Sequence, residues 1–490
     1  MSVTSQTTVV DPEVQGKTFV DGDQVGFRKG VYLSSIVAAV GGFLISFDTG
    51  ATSGVLTMIP FRERFFNENN IDNLQELLLA LYLMTATLGS FFSALFCDHL
   101  SRKYTIVFAT VLFCIGNIFI VIGYNYGLLL AGRLVAGFGA GLLTNGIPLY
   151  HSEIAPPDIR GRLISFFTLM NTFGQVVGYF LTFGTSYLIT NWSWRAPYLL
   201  QSLLSVLFGI SMLFMPFSPR WLVDKGRIDD ALATLAILRN TTNVQAEFNE
   251  IREEIEYEHS LGKRTYVELL SHTNRKRFFS ASFVSIATAF TGIVAIWYYS
   301  PQIFQTAGLS DVSSSIAATG GTGILSFVCT AISLQWVVDT WGRKKLFVSG
   351  SVIMSISMFI IGALFEVYTT VDSGTGKINL QNTGARNTII AFIYIFDGAY
   401  SFTWGITNYI YPAEVFNMRT RAKGLALTYG FFWAFSIMVT YCVPLFSATS
   451  VSGVYFFFGA CQVVAMAGLW FLPETKGKTL EEMEYIFGAR

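Results

Sequence analysis

Charge is scarce in this sequence: Asp, Glu, Lys and Arg make up 13% of its 490 residues, and acids and bases cancel to a formal net charge of zero. Such a balance offers no basic face for nucleic acid and no general attraction to acidic partners. The four histidines, His99, His151, His259 and His272, show no metal-ligand spacing. The five cysteines (Cys97, Cys114, Cys329, Cys442, Cys461) lie in or beside apolar runs, without the paired spacing of a disulfide or zinc site. No nucleophile elbow and no phosphate-cradling loop stands in the chain, so an enzyme reading has little support, and neither metal nor cofactor is expected. Residues 1–28 are polar and lack an apolar core, so no cleaved signal peptide is read there and the first membrane helix must direct insertion.

Apolar residues take up the room that charge leaves. Hydrophobic residues reach 52% and aromatics 16%, more apolar surface than a soluble chain of this length keeps out of water. The class is therefore an all-α polytopic membrane protein. Apolar runs predict helices near 31–58, 76–97, 104–124, 128–150, 163–187 and 196–217, and a second set near 278–304, 313–338, 346–366, 387–412, 423–446 and 452–472. That divides the chain into a tail (1–30), a six-helix bundle (31–217), a charged linker of short helices (218–277), a second six-helix bundle (278–472) and a tail (473–490). Lys and Arg gather on the linker's side, at Arg102 and Lys103, Arg160 and Arg162, Arg343 to Lys345, and Arg419 to Lys423; Arg62 and Arg64 are the exceptions. The positive-inside rule then puts both termini and the linker in the cytoplasm.

One carboxylate stands inside the first run. Between Val31 and Met58 the only charge is Asp48, and a run of that length crosses a ~30 Å hydrocarbon core. An ionised Asp at the centre of a membrane helix costs roughly 2.5–3.5 kcal/mol, so it faces a partner or a watery route. The plainer alternative is a satisfied polar group between helices. Asp397, in YIFDGAYSFTW, is a second intramembrane carboxylate, read either as a functional ionisable group or as one at a helix edge or bonded to a neighbouring Tyr.

The halves also repeat. DHLSRK from Asp98 matches DTWGRKK from Asp339, and SEIAPPDIRGR, with Glu153 and Arg160, matches PAEVFNMRTRAKG, with Glu414 and Arg421. Together with Arg102, Arg220 and Arg343, these charges suit a cytoplasmic latch between two rocking halves; ordinary topology-setting charge is the alternative.

In these residues the chain resembles the sugar porters of the major facilitator superfamily, with the look of a fungal member. FDTGATSG from Phe47 is similar to the family's first-helix motif, and GRLVAGFGAGLLTNGIPLYHSEIAPPDIRGR from Gly132 to its fourth-helix block. PFSPRWL, YYSPQIF, WGRKK, PAEVF and PETKGKTLEEME follow in the family's order. The resemblance implies a cavity between two six-helix bundles, alternating access in the plasma membrane, and a sugar or polyol with protons as the partners. In proton-coupled members the residues matching Asp48 and Arg133 carry the proton; some facilitators keep the same Asp.

The departures fall where sugar hydroxyls would bind. The expected fifth-helix Gln maps to Thr168, with Asn171 and Gln175 nearby, and the seventh-helix amides map to Thr288, Ala289 and Val294. Tyr409 stands for the tenth-helix Trp, and on the eleventh Gly430 and Phe431 replace an Asn-Trp pair, leaving Trp433. Candidate replacements are Asn171, Gln175, Thr291, Tyr298, Trp404 and Asn408, since amides and hydroxyls supply the donors and acceptors that a sugar needs; packing is the alternative for each aromatic. Phe217 takes the place of a Glu in PFSPR, which implies a weaker latch. Facilitated diffusion and a non-transporting receptor remain as alternatives to symport, the latter expected to carry a longer tail than Lys476 to Arg490.

Overall fold

The computed structural model describes residues 29–66, 71–156, 159–262, 264–309, 311–371, 378–380, 382–478 and 480–487. Among them, twelve helices are long and apolar enough to cross a membrane. They are Lys29–Val55, Leu74–Leu100, Arg102–Ile122, Tyr126–Ile154, Arg160–Thr185 and Trp192–Leu213 in the first half, then Arg275–Thr306, Val312–Val337, Arg343–Tyr368, Thr383–Val415, Met418–Ser447 and Val451–Leu469 in the second. Large apolar side chains such as Leu88, Phe92, Leu95, Leu203, Leu207 and Ile356 are exposed on the outer faces. In water such a belt would be a liability; in a bilayer it is the solvent-matched surface.

Side-chain caps set several helix starts. Asn125 accepts from the Leu128 N–H at 2.8 Å, Asp311 from Ser314 at 2.9 Å and Asn417 from Thr420 at 3.1 Å. Two spans are broken where the sequence reads as continuous. The seventh stops at Ala289 and restarts at Ile293, because Gly292 sits at φ +90°, a conformation that side-chain-bearing residues rarely adopt. The tenth breaks at Thr403, between Thr383–Phe402 and Trp404–Val415. The fold is all-α as expected, with one short two-stranded antiparallel ribbon, Thr369–Val371 paired with Ile378–Leu380, in the loop after the ninth span.

Between the halves, Pro219–Asp224, Ile228–Arg239 and Gln245–Ser260 form a small helical body. Its core is Trp221, Leu222, Ala231, Leu235, Phe248, Ile251 and Ile255, and the i, i+3, i+7 spacing of the last three places them on one helix face. The end of the molecule that carries this body is called the linker side below, and the opposite end the far side.

The candidate transport site

Asp48 meets Arg133. The first span presents the carboxylate to the fourth, and Arg133 Nη1 donates to Asp48 Oδ2 at 2.7 Å, with the two side chains 2% and 0% exposed. The second guanidinium arm donates to Thr52 Oγ1 and, at 2.7 Å, to the Tyr198 hydroxyl, which itself lies 3.0 Å from Thr52. Tyr82 and Tyr198 also turn ring faces to the guanidinium, at 5.5 and 5.3 Å. Among the described residues no donor lies within hydrogen-bond distance of Asp48 Oδ1; Gln201 stands close to the carboxylate but gives its amide nitrogen to the Leu44 carbonyl at 3.0 Å. A buried acceptor left open at the centre of a paired cluster is a place where a proton can be added without first breaking an existing bond.

Around this pair lies a shell of orphaned polar atoms. The Tyr82 hydroxyl and Trp433 Nε1 are buried without partners among the described residues, and their rings meet edge to face at 6.5 Å across the second and eleventh spans. Tyr298, from the far segment of the seventh span, reaches Thr49 and the Asp48–Arg133 charges. Buried orphans of this kind call for an unseen water, ion or solute. Tyr82, Thr52, Tyr198 and Gln201 were not singled out in the sequence; the polar Gln201 inside an apolar run was the available signal.

The substrate-binding candidates divide into three groups. Thr288 donates to Asn408 Oδ1 at 3.1 Å, which ties the seventh span to the tenth, while the buried Thr168 hydroxyl has no partner among the described residues. Tyr409 packs edge to face on Phe167 at 5.1 Å, a contact between the two halves. Gln175 and Asn171 are partly committed: Gln175 donates to the Tyr179 hydroxyl at 2.7 Å, and Asn171 accepts from Ser46. Tyr179 then donates across the halves to the Trp297 carbonyl at 3.2 Å. Thr291 and Trp404 are placed otherwise. Thr291 bonds the Thr288 carbonyl and the Ile293 N–H, so it caps the restarted seventh span. Trp404 is 0% exposed and spends its indole N–H on Phe347 O and Ser351 Oγ, at 3.0 and 3.1 Å, against the ninth span.

Asp397 is buried, and its partner is not a tyrosine: Ser326 of the eighth span donates to Oδ2, while Tyr394 turns its hydroxyl to the Ala318 carbonyl at 2.7 Å. Among the described ion pairs none involves Asp397.

The latch charges are arranged differently from the expectation. Arg102 bonds Glu153 at 2.7 Å within the first half, and Arg343 bonds Glu414 at 2.6 Å within the second, so both pairs staple helix ends inside one bundle. Arg220 pairs with Glu254 of the linker at 2.6 Å. Among the described ion pairs, one joins the two bundles, Lys423 to Asp98 at 3.5 Å; the Asp339 side chain falls outside the described set. The Ser90 hydroxyl on Ala426 O (3.2 Å) and the Tyr266 hydroxyl on Phe91 O (2.9 Å) complete a closed linker side. On the far side a cavity of about 380 Å³ remains between the halves, bordered by Arg62, Gln75 and Glu76 on one flank and by Tyr299 and Gln302 on the other. In the linker itself, burial alone would raise the Asp224 carboxyl, but Arg264 at 3.0 Å holds it below its ordinary value, whereas burial pushes Glu258 up in spite of the same arginine.

Phe217 stacks on Trp221 with Lys103 4.6 Å and Arg227 5.6 Å from its ring. A carboxylate there would draw both cations into an ion pair. Phe217→Glu is expected to slow solute exchange about two- to fivefold in vesicles, as a surface pair worth roughly 0.3–1 kcal/mol would; an unchanged rate would remove this residue from the latch.

A family model described as "Sugar (and other) transporter" matches residues 34–487. The chain is 32% identical over 471 residues to the sugar transport protein MST4 of Oryza sativa subsp. japonica, covering 92% of this chain and 89% of that one. It is 30% identical over 485 residues to a probable quinate permease of Neosartorya fischeri, covering 94% and 88%. Among solved structures, the proton:xylose symporter XylE bound to 6-bromo-6-deoxy-D-glucose superposes with a TM-score of 0.81 at 24% identity, over 94% of this chain and 99% of that one. The inward-open form of XylE from E. coli gives 0.71 over 93% and 99%, also at 24% identity.

Proposed function

The chain belongs to the sugar transporter family of the major facilitator superfamily, and from that membership we propose that it carries a monosaccharide or polyol across the plasma membrane by alternating access, in symport with a proton. As the family's members are transporters, no enzymatic role is assigned. The linker side is taken as cytoplasmic. The observation that carries symport is the buried Asp48–Arg133 pair at 2.7 Å with one carboxylate oxygen unbonded. Protonating Asp48 would cancel half of that pair and free Arg133, and through it Tyr198 and Tyr82, to rearrange as the halves rock. Thr168, Asn171, Gln175, Thr288, Asn408, Tyr298, Tyr409 and Trp433 are assigned to solute contact. Thr291 and Trp404 support them from the seventh and tenth spans.

A second solute class has an observation of its own. Arg62 borders the far-side cavity with a buried Nε that has no partner, and quinate permeases are among the relatives. A polyhydroxy carboxylate would supply both hydroxyls for the site and an anion for Arg62.

The test is uptake of labelled hexoses, pentoses, polyols and quinate into proteoliposomes, with and without an inward proton gradient. Gradient-driven accumulation of a neutral sugar or polyol is the expected result. Accumulation of quinate alone would replace the solute class, gradient-independent equilibration would leave a facilitator, and saturable binding without flux would leave a receptor.

A further inference from the structure

Six cations and four carboxylates border a small cavity at the linker-side junction, and five of the cations have an acid partner: Arg102 with Glu153, Arg220 with Glu254, Arg264 with Glu258, Arg419 with Glu268 and Lys423 with Asp98. Arg421, from the start of the eleventh span, is the residue left over. It is 2% exposed; among the described residues its one hydrogen bond runs from Nη2 to the Phe416 carbonyl at 3.3 Å, and its buried Nε and Nη1 find no partner. Its charged neighbours are Arg160 of the first half and Arg220 of the linker, as well as Glu153 and Glu254, which already serve other arginines. Arg160 stands beside the cavity rather than on its border, and its buried Nε finds no partner among the described residues.

A guanidinium buried beside two others without its own anion is an arrangement that proteins retain when something else supplies the charge. The cavity that Arg421 and Arg220 border measures about 40 Å³, room for about three water-sized atoms. Space of that size beside the arginines admits oxygens of a phosphate group, which guanidinium forks bind in bidentate fashion. With the linker side closed, Arg421 of the second half lies beside Arg160 of the first.

We propose that this junction is a phosphate-binding site, formed by Arg421 of the second half with Arg220 of the linker and Arg160 of the first half, and that a phosphate group seated there holds the linker side shut. Occupancy disfavours opening toward the linker and slows the transport cycle. The phosphate can belong to a free ion or to the headgroup of a phosphorylated lipid, since the chemistry that Arg421 recognises is the same. The proposal goes beyond the transport reading and does not depend on which solute is carried.

Binding is tested first in detergent, on the full chain, by thermal unfolding at constant ionic strength while inorganic phosphate replaces chloride. A saturable rise in melting temperature is expected for the native chain. Arg421→Gln should weaken half-saturation about tenfold or more; Arg160→Gln, at a less buried position, should weaken it several-fold and serves if Arg421→Gln does not fold. The second arm repeats the measurement with micelles carrying a phosphorylated inositol lipid. A response to the lipid but not to free phosphate identifies a headgroup site, and a response to both identifies the free ion as sufficient. No response to either, or equal responses in the native chain and both variants, overturns the proposal.

Discussion

Asp48→Asn is expected to abolish uphill accumulation while leaving downhill exchange measurable. The amide has the shape of the carboxylate, so Thr52 and Tyr198 can still hold Arg133; what is lost is the charge that a proton would neutralise. One pH unit corresponds to about 1.4 kcal/mol, so a one-proton symporter accumulates its solute up to ~tenfold under an inward gradient of that size, and the variant should return the ratio to about one. Arg133→Ala should act more broadly, because it strands a carboxylate that is 0% exposed, at a cost of about 3–5 kcal/mol. Arg133→Lys keeps the charge but not the planar fork that reaches Asp48 with one arm and Thr52 and Tyr198 with the other. Tenfold accumulation surviving in Asp48→Asn would remove the carboxylate from the coupling step, whatever the substrate.

Asp48 could be found in the sequence because it is the lone charge in a run of membrane length, and a charge at that depth is too costly to serve packing alone. The count of spans and the division into halves followed from run lengths in the same way. The breaks at Gly292 and Thr403 did not, since neither segment contains a proline at the break and both read as uninterrupted apolar runs. The partners of Arg133 were hidden for a related reason: Tyr82, Tyr198 and Thr52 belong to residue types that serve packing as readily as polar clusters, and only the fold decides which way a hydroxyl points. The matched charge motifs showed that Arg102 with Glu153 and Arg343 with Glu414 would be ionic, but not that each pair closes within its own bundle. Repetition between halves is what internal staples produce as well, because each half is built on the same plan.

That distinction between contacts inside a bundle and contacts across the two gives two glycines opposite outcomes. At Gly141, in the fourth span, an added Cβ would lie 2.1 Å from the Ala86 carbonyl oxygen and 2.7 Å from the Ser90 nitrogen, both backbone atoms of the second span in the same half. Neither helix can yield without disturbing the bundle, so Gly141→Ala should cost about 1–3 kcal/mol or more of folding stability, seen as a lower melting temperature and yield. At Gly430, in the eleventh span, the Cβ would meet Phe91 Cε1 at 2.0 Å and Cδ1 at 2.2 Å, across the junction of the halves. There the molecule has another way to relieve the overlap, which is to part the halves on the linker side. Gly430→Ala should therefore fold with nearly native stability but shift the balance toward the linker-open form about 5- to 150-fold, the equivalent of 1–3 kcal/mol. Spin labels on the exposed His99 and Lys345, one in each half, would report the change as a longer inter-label distance. An unchanged distance would mean that Phe91 swings aside instead and that the second and eleventh spans do not act as a gate at this level; a fall in melting temperature equal to that of Gly141→Ala would mean that the two halves behave as one packed body.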